Sequence, residues 1–281
     1  MSAVEHRFEP MTVGTILDRS FRLYAQNFSL MFGITAVFNL PLIVLSALPL
    51  LIASTGGAFR AIALSLGGLV SLIALLVIQP LVTGAVTKAV SDKYTGSPAT
   101  AAASLKEAWG CVGTLLLTQF VAGLVIILGL ILLVVPGILW MLSYSLIAPV
   151  VIVEAAGRGQ RQYSLTGQRT VPVVMERSDI RRRSWDLVKG NRGRIFIILA
   201  VIFVLNLLLS AGGRSVVSMF FDATSSTAGA IRAIFSDVIQ IVVSPLQTIA
   251  VTLMYYDIRI RKEGFDLEML SQSIGGPTVS A

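Results

Sequence analysis

The residue types that most often carry chemistry are scarce in this chain. Its one histidine is His6 and its one cysteine is Cys111. A lone histidine offers no convincing zinc site, and a buried serine or cysteine nucleophile would have no imidazole to activate it. No Gly-Lys-Ser loop is present to cradle phosphates, so a nucleotide-driven pump is not encoded. The expectation is a protein that is not an enzyme and holds no cofactor or metal. Two other sets of residues remain. The first is cationic: Arg177, Arg181, Arg182, Arg183, Lys189, Arg192 and Arg194 crowd around Ile180, Trp185, Leu187 and Val188. Near an anionic leaflet each such charge contributes about 1 kcal/mol, so this is a candidate lipid-headgroup surface. The second set lies inside apolar runs. Pro80, Pro149 and Pro245 sit roughly 12 to 20 Å from the nearest cationic end at 1.5 Å per helical residue, close to a membrane midplane. Each proline frees a carbonyl and kinks its helix. Asn39, Gln79, Ser244 and Gln247 are the polar neighbours that could satisfy those carbonyls or line a cavity.

The elements that hold these residues follow from composition. Hydrophobic residues make up 55% of the 281, charged residues 13%, and the mean hydropathy is +0.82. Water cannot be the main solvent. Six stretches are long enough to cross a hydrocarbon core: Phe28 to Ala53, Ala61 to Thr87, Cys111 to Val135, Gly137 to Ala156, Ile195 to Ala211 and Ile234 to Tyr256. They lack strand-like alternation, and backbone groups in lipid must pair internally, so the fold class is an all-α membrane bundle rather than a barrel. The first stretch is far longer than a signal-peptide core and is expected to remain as a helix. Val134-Val135-Pro136-Gly137 reads as the tight turn between the third and fourth stretches. Tyr255 and Tyr256 read as an interfacial pair, which puts Asp237 at the far edge of the last span, in solvent.

Lysine and arginine distribution sets the expected orientation. Arg7, Arg19 and Arg22 precede the first span, Lys88, Lys93 and Lys106 follow the second, ten fall between 158 and 194, and Arg259, Arg261 and Lys262 follow the last. Only Arg60, Arg214 and Arg232 fall on the other side. The positive excess of cytoplasmic loops then puts both termini in the cytoplasm of a multi-pass protein of the cell membrane. The net charge of +7 belongs to these flanks. It points to the bilayer and its anionic lipids, with room for a membrane or cytoplasmic protein partner, and not to nucleic acid.

A repeat runs through the chain. Arg19-Ser20-Phe21-Arg22-Leu23 with Asn27 recurs as Arg183-Ser184-Trp185-Asp186-Leu187 with Asn191, an offset of 164. Pro80 to Thr87 recurs as Pro245 to Thr252 at an offset of 165, which Asp92 and Asp257 keep. A weaker middle copy pairs Pro98 to Trp109 with Pro10 to Phe21, and Pro149 with the other prolines. The expected unit is an amphipathic interfacial helix followed by a two-span hairpin, in copies spanning about 10–94, 98–156 and 178–259. One membrane domain thus covers 1–270, with a cytoplasmic loop at 157–179 and a flexible tail at 271–281. Glu154, at the end of the fourth span, reads as an interfacial carboxylate, with pairing to an arginine of the long loop as the alternative.

Four stretches carry a resemblance to a known family. They are Thr12-Val13-Gly14-Thr15-Ile16-Leu17, Val135-Pro136-Gly137-Ile138, Arg183-Ser184-Trp185-Asp186-Leu187-Val188-Lys189-Gly190-Asn191, and Tyr256-Asp257-Ile258-Arg259 through Glu263-Gly264-Phe265-Asp266. In them the chain resembles the glycerophosphoryl diester phosphodiesterase membrane-domain family over nearly its full length. In that family the membrane domain sometimes precedes a soluble phosphodiesterase. Here a short polar tail follows Leu270, so the expectation is a stand-alone membrane domain without that activity. Gly157 to Asp179 departs from the family pattern: it adds a basic, polar stretch whose Pro172-Val173-Val174-Met175-Glu176 echoes Pro149 to Glu154. Three functions are open on this reading. They are a non-catalytic protein organising lipid or a partner at the cytoplasmic leaflet, a transporter or channel for a small or lipid-derived solute, and the membrane subunit of a separate phosphodiesterase.

Overall fold

The structure is a computed structural model that describes residues 10–52, 57–155, 177–220 and 226–263. The loop copy at 172–176, the residues after Glu263 and the tail lie outside the described residues. Within them every regular element is helical. Five helices are long and apolar enough to cross a membrane, or six if the bent pair Val13–Gln26 and Phe28–Val44 is one span.

Helix α1 (Val13–Gln26) starts where the Thr12 side chain accepts the Thr15 N–H at 3.2 Å. It stops at Asn27, whose backbone N–H and amide both return to the Leu23 carbonyl. The chain then turns by 79° into α2 (Phe28–Ile52). Next comes α3 (Gly57–Ile73), which runs through a π-helical turn at Ala74–Ile78 into α4 (Gln79–Thr95). Pro80 explains the wide turn, since its ring would clash with the Leu76 carbonyl of a regular helix. Gly96 ends α4 at φ 81°, a left-handed value that favours glycine. Helix α5 (Ala101–Gly110) is capped by Thr100 and leads into the hairpin of α6 (Val112–Leu132) and α7 (Val134–Tyr144). Beyond α7 a short turn at Ile147–Pro149 passes into π-helical Val150–Ala155. Then follow α8 (Arg177–Val188), α9 (Arg192–Phe220) and α10 (Ser226–Glu263), with Gly190 at φ 90° between the first two.

The α6–α7 hairpin corrects one sequence expectation. Only Leu133 leaves the helical conformation, at φ −159°, and Pro136 and Gly137 already lie in the first turn of α7. Proline is compatible with a first helical turn, where its missing N–H has no partner to lose. Gly137 has a different reason to be small: a Cβ there would sit 2.6 Å from the Leu130 backbone nitrogen, and one on Gly129 would sit 2.5 Å from the Trp140 ring. The helices therefore cross with backbones nearly touching, as small residues permit in lipid.

Packing divides the long helices into two kinds. In α6 and α9 only 22% and 18% of the most apolar stretch is buried, against 56% in both Val134–Glu154 and Ile234–Glu263. In these two hairpins the second helix is thus central and the first peripheral. The centre is built from the segments at or beyond each proline: Leu81 to Val90 of α4, Leu146 to Ile152 around Pro149, and Ile249 to Ile260 of α10. Three short helices clad it. Helix α1 lies on α10, α5 on α4, and α8 on α7 and the π-helical turn that follows. Each inserts a fully buried pair one turn apart: Ile16 and Ser20, Ser104 and Ala108, Ile180 and Ser184. Small residues in each pair bring the backbones close, and two of the serines return a hydroxyl bond, Ser20 to the Ile16 carbonyl at 2.6 Å and Ser184 to the Ser143 carbonyl at 2.7 Å.

Candidate functional site

At the charged end, two buried carboxylates organise the core. Asp257 is 1% exposed and accepts the Met11 N–H at 2.6 Å, Arg194 at 3.1 Å and Arg261 at 3.1 Å. Both guanidiniums also donate to the Met11 carbonyl, Arg261 at 2.9 Å. The start of α1, the start of α9 and the end of α10 therefore meet on one residue. Charges this deep are tolerated when paired and hydrogen-bonded on every side. Sequence reading missed this role, although the offset linking Asp92 with Asp257 had marked the position.

Glu154 is the second centre; it is buried and pairs with an arginine of the long loop, which was the alternative reading and not the favoured interfacial one. Arg183 approaches it at 3.0 Å and reaches Glu263 at 2.5 Å, while Tyr255 donates to Glu154 at 2.9 Å. Burial works against the Arg183 charge, but its hydrogen bond and attraction to Glu154, reinforced by Glu263, leave the guanidinium raised above the usual arginine range. Nearby, Lys262 donates to the Asp186 and Lys189 carbonyls at 2.7 and 2.5 Å, which ties the end of α10 to the last turn of α8. Tyr255 and Tyr256 are fully buried in this network rather than interfacial. Tyr256 shares a 2.6 Å hydrogen bond with Ser91 and stacks on Tyr94 at 4.7 Å.

These bonds sort the seven candidate cations. Arg183 and Arg194 turn inward to carboxylates and leave the proposed headgroup surface, because a buried carboxylate binds a guanidinium more strongly than an exposed headgroup does. Arg182 and Lys189 are exposed and Arg181 is half-buried. Arg192 lies over the Trp185 ring at 4.9 Å with a buried Nε that has no hydrogen-bond partner. Arg177 opens α8. The aromatics at matching positions of the other two short helices, Phe21 and Trp109, are 48% and 64% exposed.

Among the apolar spans the structure holds two cavities. The smaller, of about 190 Å³, is lined by Asn39, Ser71, Gln79, Asp237 and Gln240 with Leu42, Ile43 and Val70. Gln79 donates to Asn39 at 3.1 Å, and Asn39 to the Thr35 carbonyl at 2.7 Å. Asp237 lines this cavity with Gln79, three residues inside the apolar stretch that starts at Ile234, and α10 itself begins at Ser226. The larger cavity, of about 660 Å³, lies between the α6–α7 hairpin and the α9–α10 hairpin against α4. Gln247 lines it together with Thr83, Gln119, Tyr144, Asn206 and Gln240. Of these only Gln247 was singled out from sequence; one amide inside each apolar run was the signal for Gln119, Asn206 and Gln240.

The prolines do not line either cavity. Pro80 and Pro149 lie buried beside their π-helical turns, and Pro245 stays inside α10. At the Pro245 kink the polar neighbour is distant in sequence: the Tyr24 hydroxyl donates to the Val242 carbonyl at 2.6 Å, next to the Ile241 carbonyl that proline leaves without its helical partner. Ser244 is half-buried, and its own carbonyl accepts the Thr248 hydroxyl at 3.3 Å. Among the described residues no three histidine, cysteine, aspartate or glutamate side chains converge as a metal site would require. Compared with known proteins, the chain matches no family model, no curated protein and no solved structure.

Proposed function

We propose that this chain is a non-catalytic, multi-pass protein of the cell membrane that gathers anionic lipid at the cytoplasmic leaflet. In this reading six spans cross the bilayer, both termini are cytoplasmic, and the collar of α1, α5 and α8 lies at the inner headgroup level. The observation that carries it is the division of the cations from α8 to the start of α9: Arg183 and Arg194 are consumed by buried carboxylates, while Arg182 and Lys189 are exposed and Arg181 is half-buried, with Arg192 over the Trp185 ring. Basic residues flanking an interfacial aromatic are the composition that binds an anionic leaflet.

A threefold use of one unit supports the collar. Ile16, Ser104 and Ile180 are all fully buried, as are Ser20, Ala108 and Ser184, at the offsets of 88 (Ile16 to Ser104) and 164 (Ile16 to Ile180) on which the repeat was drawn. The outward aromatics Phe21, Trp109 and Trp185 keep the same offsets and form an interfacial belt. The resemblance to the phosphodiesterase membrane-domain family fits a membrane domain of this kind. The test is lipid retention by the purified full chain, read by native mass spectrometry against mixed neutral and anionic lipid. The wild-type chain is expected to retain anionic lipid in a salt-sensitive way, and R181Q/R182Q/K189Q to lose most of it. Retention indifferent to lipid charge, or unchanged in the triple variant, refutes the reading.

A further inference from the structure

The larger cavity is a different kind of site from the cationic collar. Five of its polar side chains, Gln119, Tyr144, Asn206, Gln240 and Gln247, come from four helices, and none makes a side-chain hydrogen bond among the described residues. Gln240 and Gln247 are exposed and Gln119, Tyr144 and Asn206 half-buried; between membrane spans an amide without a partner costs several kcal/mol, and lipid tails cannot supply the bonds. The walls between them are aliphatic and aromatic, including Ile126, Ile147, Leu199 and Phe203. Polar groups converging from separate elements on an otherwise apolar cavity of this size are the usual make-up of a ligand site, for which about 300–1,000 Å³ is typical.

The charge pattern selects the ligand. Among the described residues no lysine, arginine or histidine lines the cavity, so a phosphate would meet no counter-charge from them. The nearest ionisable carboxyl along α10, that of Asp237, lies in the adjoining cavity across Gln240, which lines both, and would repel an anion. Each carboxamide offers both a donor and an acceptor, which is what a hydroxyl needs. We propose that the cavity between the two hairpins binds a neutral glycerolipid whose head carries free hydroxyls, with the hydroxyls on the amides of Asn206 and Gln247 and the acyl chains along the aliphatic walls. This site is independent of the anionic-lipid collar and differs from it in ligand charge.

Gly123 provides a clean way to close the site. It lines the cavity, and a Cβ placed on it meets nothing within 4 Å, so the backbone admits a side chain there and Gly123→Phe puts a ring at the cavity wall. N206L/Q247L removes hydrogen bonds while keeping side-chain volume. The experiment is native mass spectrometry on the delipidated full chain titrated with diacylglycerol, a glucosyl diacylglycerol, phosphatidylglycerol and phosphatidic acid. Saturable binding of one or both neutral lipids is expected, weakened about tenfold or more by either variant. The thermal midpoint of each variant should stay at the wild-type value, and R181Q/R182Q/K189Q should keep neutral-lipid binding while losing anionic lipid. The proposal is overturned if the wild-type chain binds neither neutral lipid, if G123F binds them as well as the wild type, or if the anionic lipids lose as much affinity as the neutral ones in G123F. Should G123F alone lower the thermal midpoint, N206L/Q247L decides.

Discussion

The segments at or beyond the three prolines and the long apolar helices before them are made of similar residues, yet they are packed in opposite ways. Leu81 to Val90, Leu146 to Ile152 and Ile249 to Ile260 are almost wholly buried, whereas Leu128, Ile131, Phe203 and Leu208 are more than half exposed. In lipid the exposed set loses nothing, because hydrocarbon is as good a neighbour as another leucine. What distinguishes the buried set is its polar partners: Asp257, Glu154, Tyr255, Tyr256 and the short helices that bond to them. The charged end is thus held by specific pairs and close packing, and the rest of the bundle by the bilayer.

The largest test of that contrast is Asp257→Ala. It strands Arg194, Arg261 and the Met11 N–H, and should cost about 3–5 kcal/mol, read as a lowered unfolding midpoint in detergent with earlier proteolysis near Met11. Asp257→Asn keeps an acceptor and should cost less. Next comes Gly137→Ala, in a hairpin where backbones nearly touch away from the charged end. Its Cβ would meet the Leu130 nitrogen at 2.6 Å, and about 1–3 kcal/mol is expected. A cost this large would show that a part of the apolar region also depends on close packing. Tyr256→Phe removes the bond to Ser91 and should lower stability by about 1 kcal/mol in the same assay. The smallest effect belongs to Ile131→Ala, at a residue that is 75% exposed: less than about 0.5 kcal/mol is expected. A loss of several kcal/mol there would mean that a partner or a second copy covers α6, and the contrast between the regions would fail.

The helices were legible because a membrane leaves few alternatives, and a run such as Val112–Leu132 can hardly be anything else. Burial was not legible, since a residue facing lipid and one facing another helix are chosen from the same apolar set. Tyr255 and Tyr256 show the difficulty: an aromatic pair beside arginines is the pattern of an interfacial belt, and only the arrival of Glu154 and Ser91 from other helices makes it a core. Gln247 was recognisable as an intramembrane polar residue, but its association with Asn206 and Gln119 required the hairpins to be set side by side.

The sequence by itself determined an all-helical membrane protein, the short amphipathic helices ahead of the hairpins, and the places where prolines would disturb the spans. Those properties depend on local composition and on the bilayer's demand that every backbone group be paired. Tertiary structure alone decided which helices are central, which arginines are consumed by Asp257 and Glu154, and where unpaired amides enclose a cavity. Each of these depends on groups far apart in the chain meeting within about 3 Å, a distance that no local pattern encodes.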